Sequence, residues 1–375
     1  MAAPRVRFAT QDRPDFHRTL TLRVNEYFKT NKLSKHANAN MVFKTVFMVL
    51  LYVVPFILMM AGVVTMVWPS VAMWVLMGVG MSGIGLSIMH DANHGAYSQN
   101  PTVNRWLGGI LNIIGGYPAN WRIQHNVLHH SFTNVEGHDE DIETFIMRQA
   151  PGQERKPIHR FQAFYAPFFY GLMTFYWLVG KDFDQLARYD KMGLLAGQGL
   201  TYKRALSQMV VYKLIYLLVI LVMPMIVLPI AWWQTLLGFL LMQYISGLIL
   251  ALVFQPAHVI EETDFYTPDA EGRVENNWAI HQLRTTANFA RRSRILSWYV
   301  GGLNYQVEHH LFPNICHVHY RNIAPIVKAT AEEYGIPYHE HRTFFEALAS
   351  HFGLLHQLGT GAYDRKARAS ELAAA

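Results

Sequence analysis

The chain has 375 residues, of which 51% are apolar and only 15% charged, which takes it out of the ordinary soluble range and makes an integral membrane protein the first expectation. Its one cysteine, Cys316, excludes an internal disulfide, an iron–sulfur cluster and a zinc finger, and is read as a small core residue. A net charge of +6 suits a surface facing anionic lipid headgroups or other phosphates, and no nucleic-acid partner is expected.

In chain order, residues 1–44 form a basic segment with nine Lys or Arg against three acidic residues between Arg5 and Lys44. By the positive-inside rule this segment lies in the cytoplasm, and no cleavable signal peptide is expected in it. Residues 45–89 belong to a charge-free block, Thr45 to His90, about twice as long as the ~20 helical residues that cross a bilayer. The block therefore reads as a first transmembrane hairpin, its turn expected at Trp68-Pro69-Ser70. The glycines Gly78, Gly80 and Gly83 match a dinucleotide fingerprint in letters only. With no strand before them, they predict close helix packing.

Residues 90–213 are a long polar insert. Within it, residues 161–180 are uncharged, but nine of the 20 are aromatic and Pro167 and Gly171 interrupt them, which predicts a segment at headgroup level rather than a span. Residues 214–257 form a second hairpin, turning at Leu228-Pro229-Ile230, and residues 258–375 return to the cytoplasm, the last of them, Arg365 to Ala375, read as a frayed tail. The predicted fold is an all-α integral membrane protein with four transmembrane helices as two hairpins and a cytoplasmic helical cap.

Eight of the 19 histidines gather beside the ends of the charge-free blocks. His90 and His94 are four apart and share a helix face, and His125 and His129 repeat that spacing with His130 next to them. His309 and His310 follow in Gln306-Val-Glu-His-His, and His258 stands alone at the exit of the fourth span. Four spans return all of these groups to one side. So many imidazoles with few carboxylates suit iron, zinc, copper or nickel rather than magnesium or calcium, and their surplus over the three or four ligands of one zinc implies two metals. No His-Glu-x-x-His or Glu-x-x-His motif is present.

The three histidine boxes, together with Trp121–Asn134 (WRIQHNVLHHSFTN) and Gly301–Pro313 (GGLNYQVEHHLFP), resemble the membrane fatty acid desaturases and are close to their front-end branch, which includes delta-6 and linoleoyl-CoA type enzymes. The resemblance covers roughly residues 5–358. It implies that His90, His94, His125, His129, His130, His258, His309 and His310 hold two irons in the cap, with Gln306 as a ninth ligand, and that the enzyme uses O2 to introduce a double bond into an acyl chain. Asp91, Asp139, Asp141 and Glu308 stand beside the ligands as candidates to orient imidazoles. The other histidines, His138, His317 and His319 among them, are assigned supporting roles. Arg284, Arg291, Arg292 and Arg294 are the candidates for holding a substrate headgroup, on coenzyme A or a phospholipid.

No His-Pro-Gly-Gly is present, so no fused cytochrome b-type domain is expected, and electrons are expected from a separate ferredoxin or small cytochrome with its reductase. The expected location is a bacterial inner membrane or ER-type membrane, with the active site facing the cytoplasm. A di-iron hydroxylase or sphingolipid desaturase shares this metal site and differs in product. A histidine-rich metal transporter needs more polar residues at mid-membrane than Gln234 and Gln243 offer.

Overall fold

A computed structural model describes residues 6–144 and 146–374; Arg5 and Ala375, both within segments read above, lie outside the described residues. The chain is mostly helical. Among the described residues, four helices are long and apolar enough to cross a membrane: Ala39–Met60, Val67–Asn93, Tyr202–Val227 and Trp232–Ala257. The chain divides into two compact units, one of Met1–Lys35, Gln124–Pro167 and Val253–Ala375, the other of His36–Ile123 and Phe168–Leu252. The first carries most of the histidines and the second most of the span residues.

In the span unit the first turn does not fall at Trp68-Pro69-Ser70. It falls between Met60 and Val67, where Gly62 takes a left-handed φ of 71°. Proline lacks a backbone N–H that the first turn of a helix does not need, so Pro69 sits in the opening turn of the second span. The three glycines pack as expected. A Cβ on Gly78 would come within 2.8 Å of the Met242 carbonyl oxygen, one on Gly80 within 2.7 Å of the Tyr52 nitrogen, and one on Gly83 within 2.5 Å of the Met48 sulfur.

The third span starts at Tyr202, ahead of the charge-free block, and so includes Lys213. That ammonium is buried yet fully engaged: Nζ donates to Asp182 Oδ2 at 2.7 Å, to the Trp177 carbonyl at 2.8 Å and to the Gly115 carbonyl at 3.0 Å. Asn120 in turn donates to the Asp182 carbonyl at 2.6 Å, which ties the short helix Pro118–Trp121 to the same pair. Residues 161–180 do not form one of the long apolar helices. They make a 3-10 turn, the helices Gln162–Gly171 and Met173–Tyr176, and a π-turn from Trp177.

In the histidine unit the helix Asp15–Thr30 turns Phe16, Leu20, Val24 and Phe28 inward at a spacing of four, one stripe of a helix face. They pack in one core with Ile323, Ala324 and Val327 of the helix Tyr320–Glu333 and with Val307 and Leu311 of the third box. Two short parallel ribbons complete the unit, Arg7–Phe8 with Arg273–Val274 and Ala287–Phe289 with His339–His341. The C-terminal segment is not frayed through its described length: Ala362–Ala374 is helical. Its first turn is fastened by Arg148, whose guanidinium forks onto Asp364 at 2.8 and 2.9 Å.

Candidate metal centre

The second box departs from the α-helical geometry expected of it. Arg122–His129 is a π-helix, followed by one α-turn, His130–Phe132. A π-turn brings residues five apart into register, so His125 meets His130 as well as His129. The Nε2 atoms of His125 and His130 are 3.2 Å apart, and the His130 and His309 Nε2 atoms are 2.9 Å apart. A neutral imidazole has one N–H, so three Nε2 atoms at this separation cannot all be satisfied by hydrogen bonds to one another. They converge as donors do on a shared cation.

Among the described residues of this unit, three groups have ligand atoms within 4.8 Å of one another: His129, His258 and His310; His130, His309 and His310; and His125, His129 and Asp141. The first two share His310.

The far side of four of the rings is held. His129 Nδ1 lies 3.1 Å from Asp139 and 3.6 Å from Asp141. His258 Nδ1 donates to the Thr285 carbonyl at 3.2 Å, His309 Nδ1 is 3.1 Å from the Tyr320 hydroxyl, and His310 Nδ1 donates to Gln282 Oε1 at 2.8 Å. Imidazoles held through one nitrogen present the other to a metal. The fit can be tested on buried atoms, because the Nε2 atoms of His129 and His258 and the Gln306 amide have no hydrogen-bond partner. Leaving such groups buried and unmatched costs about 1–3 kcal/mol apiece, a penalty that coordination removes. The site is therefore built for metal.

Electrostatics follow from burial and the two aspartates. Burial disfavours the charged form of His129, but Asp139 and Asp141 outweigh it and hold its pKa above the ordinary value. Burial likewise opposes ionised Asp139, while His129 and the backbone N–H groups of Asn134 and Asp141 hold the carboxyl below its usual range. On His258 the pull of Asp139 is outweighed, and burial, aided by His129, pushes it down to about 3, the neutral form a ligand requires.

The other predicted residues fall in several places. In the span unit a π-turn, Ile84–Met89, leads into His90–Asn93, and the His90 and His94 rings are 4.8 Å apart, each edge-on to Trp121. Asp91 Oδ1 is 3.8 Å from His90 Nδ1. Glu308 accepts from Asn288 Nδ2 and the Tyr338 hydroxyl, each at 2.8 Å. Arg284 is paired with Asp264 and Arg291 with Glu340, whereas Arg292 and Arg294 are exposed. His138 packs its ring on Phe132, and His317 and His319 are buried, His319 against Phe28.

Sequence reasoning missed the helix Trp278–Thr285. Its outward sign is Asn277, a helix cap, and the polar residues His281, Gln282 and Thr285 that follow are buried among apolar ones.

Residues 66–342 match the profile of the family Fatty acid desaturase. The chain is 36% identical to an sn-1 linoleoyl-lipid 6-desaturase of Synechocystis sp. over 96% of this chain and 99% of that one. It is 34% identical to a protein of the same name from Arthrospira platensis, over 92% of each. An acyl-lipid (8-3)-desaturase of Physcomitrium patens is 34% identical over 94% of this chain and 73% of its own length. With four apolar helices, a histidine-built metal site and this similarity along nearly its whole length, the chain belongs to the fatty acid desaturase family and is a membrane enzyme acting on lipid acyl chains.

Proposed function

We propose that this enzyme is a front-end desaturase that adds a carboxyl-side double bond, of the 6-position type, to a chain that is already unsaturated and esterified in a membrane lipid. The observation that carries the reading is the match from end to end with relatives named as linoleoyl-lipid 6-desaturases. The reaction takes one acyl chain, O2, two electrons and two protons to the desaturated chain and two waters.

Two irons are held by His90, His94, His125, His129, His130, His258, His309 and His310, with Gln306 as a weaker neutral donor. When bound, they supply the oxygen chemistry that breaks an unactivated C–H bond, which no side chain can do alone. The protein's own part is to fix the imidazoles. Asp139 and Asp141 orient His129, Thr285 orients His258 and Tyr320 orients His309, in a setting closed to bulk water. Electrons come from a separate ferredoxin or small cytochrome with its reductase. The histidine-bearing segments lie at the cytoplasmic face, residues 161–180 lie at headgroup level, and the exposed Arg292 and Arg294 meet lipid phosphate.

Expression in a host that makes linoleate but no further unsaturated product, with positional analysis of its glycerolipids, tests this reading. Linoleoyl and alpha-linolenoyl lipids are expected to gain one bond on the carboxyl side, with stearoyl lipids converted poorly and about two irons per purified chain. A preference for stearate, or a new bond on the methyl side, removes the front-end assignment. A hydroxylated product points to the hydroxylase branch of the same metal chemistry.

A further inference from the structure

We propose that Gln282 is a positioning residue of the metal centre, fixing the tautomer and ring plane of His310. The inference rests on His310 being a ligand. A neutral imidazole carries its proton on one nitrogen only, and an amide oxygen can only accept. With His310 Nδ1 at 2.8 Å from Gln282 Oε1, the proton sits on Nδ1 and the Nε2 lone pair is left for metal.

The orientation of the Gln282 amide is the telling feature. Its Nε2 group is buried without a hydrogen-bond partner, an arrangement that a simple amide flip could change. A flip would set the NH2 against His310 Nδ1, move the imidazole proton to Nε2 and block coordination. The Thr133 hydroxyl, which also reaches the His129 carbonyl at 2.7 Å, lies 3.0 Å from Gln282 Oε1 and 3.3 Å from His310 Nδ1.

The helix that carries Gln282 is itself fixed against the centre. Asn277 caps it by accepting from the Ala279 N–H at 2.9 Å. Trp278 Nε1 donates to the His130 carbonyl at 3.1 Å, and His281 Nε2 donates to the Thr133 carbonyl at 2.7 Å. Thr285 supplies the carbonyl that accepts from His258 Nδ1. Trp278, His281, Gln282 and Thr285 are spaced three, four and seven apart, so they form one helix face. That face of a two-turn helix touches the ring or backbone of His130, His258 and His310, and Gln282 is its one side chain that hydrogen-bonds a ligand ring.

The test uses the full-length enzyme purified anaerobically, loaded with ferrous iron and challenged with a chelator series, alongside thermal midpoints of the metal-free proteins. Gln282→Met keeps the length of the side chain and removes the acceptor. Gln282→Glu keeps an acceptor and removes the orphaned NH2. The expected result is an iron affinity about 10–100-fold lower in Gln282→Met, and within about threefold of the parent enzyme in Gln282→Glu, with similar metal-free midpoints. A role in packing alone predicts the reverse order, since Met fills the space and a buried carboxylate is the harsher change. Parent-like iron retention in Gln282→Met, or iron loss in Gln282→Glu, overturns the inference alone. Parent enzyme that binds no iron overturns the reading of the centre, and this inference with it.

Discussion

Two buried carboxylates beside the imidazoles meet opposite fates. Asp139 sits next to His129 and accepts backbone N–H groups, so its carboxyl is held ionised. Glu308, adjacent in sequence to His309, accepts from the neutral donors Asn288 and Tyr338, and burial outweighs them and the more distant Arg291 to push its pKa up to about 7. Asn288 also accepts from the Val307 N–H at 3.0 Å, so Glu308 and Asn288 together clamp the start of the third-box helix. Because Glu308 is poised near neutrality, a neutral amide serves almost as well. Glu308→Gln is expected to change stability by less than about 1 kcal/mol, whereas Glu308→Ala strands the Asn288 and Tyr338 donors and costs roughly 2–4 kcal/mol. Thermal midpoints in detergent check both variants, and equal losses would show that the carboxylate's charge, rather than its acceptors, is what the clamp needs.

At the scale of elements, what the sequence makes legible is what repeats or clusters. The spans, the boxes and the small-residue packing of Gly78, Gly80 and Gly83 all follow from patterns along the chain. Pairings between distant residues do not. A charge-free window cannot admit Lys213 to a span, because its partner Asp182 lies 31 residues away, and a four-residue spacing cannot foretell that Arg122–His129 winds as a π-helix. The helix Trp278–Thr285 is invisible for a similar reason, since its Gln and Thr residues gain meaning only against imidazoles from other segments. The Lys213–Asp182 pair yields a prediction at this scale. Burial is the main influence on Asp182 and holds its carboxyl above the usual range despite the ammonium beside it. Removing Lys213 alone strands a buried carboxylate, so Lys213→Met is expected to cost about 3–5 kcal/mol at neutral pH. Folded protein then favours protonated Asp182 more than unfolded protein does, so the deficit shrinks as the pH is lowered towards the ordinary carboxylate range. The double variant Lys213→Met with Asp182→Asn should recover most of the loss. A double variant no better than Lys213→Met alone would place the cost in the lost carbonyl contacts of Gly115 and Trp177 instead.

For the whole molecule, the proposed metal centre takes the second box from the chain between the second and third spans and the third box from the chain after the fourth, which requires an even number of crossings between the two boxes. The four apolar helices satisfy that parity only if residues 161–180 do not cross, and the aromatic residues exposed on that stretch, Phe161, Phe164, Phe168 and Tyr176, suit the headgroup region. Cysteine labelling can decide it, because the one native thiol, Cys316, is buried and can be replaced by alanine beforehand. In that background, cysteines at Val63 and Ala231, both in exposed turns between paired spans, should react with a membrane-impermeant maleimide in intact cells. Cysteines at Glu154 and Arg292, exposed on either side of the aromatic stretch in sequence, should react only after the membrane is opened. If Glu154 and Arg292 instead label from opposite faces, the 161–180 stretch crosses the bilayer. The second box and the third box would then be divided by the membrane, and no single metal centre could be made from both.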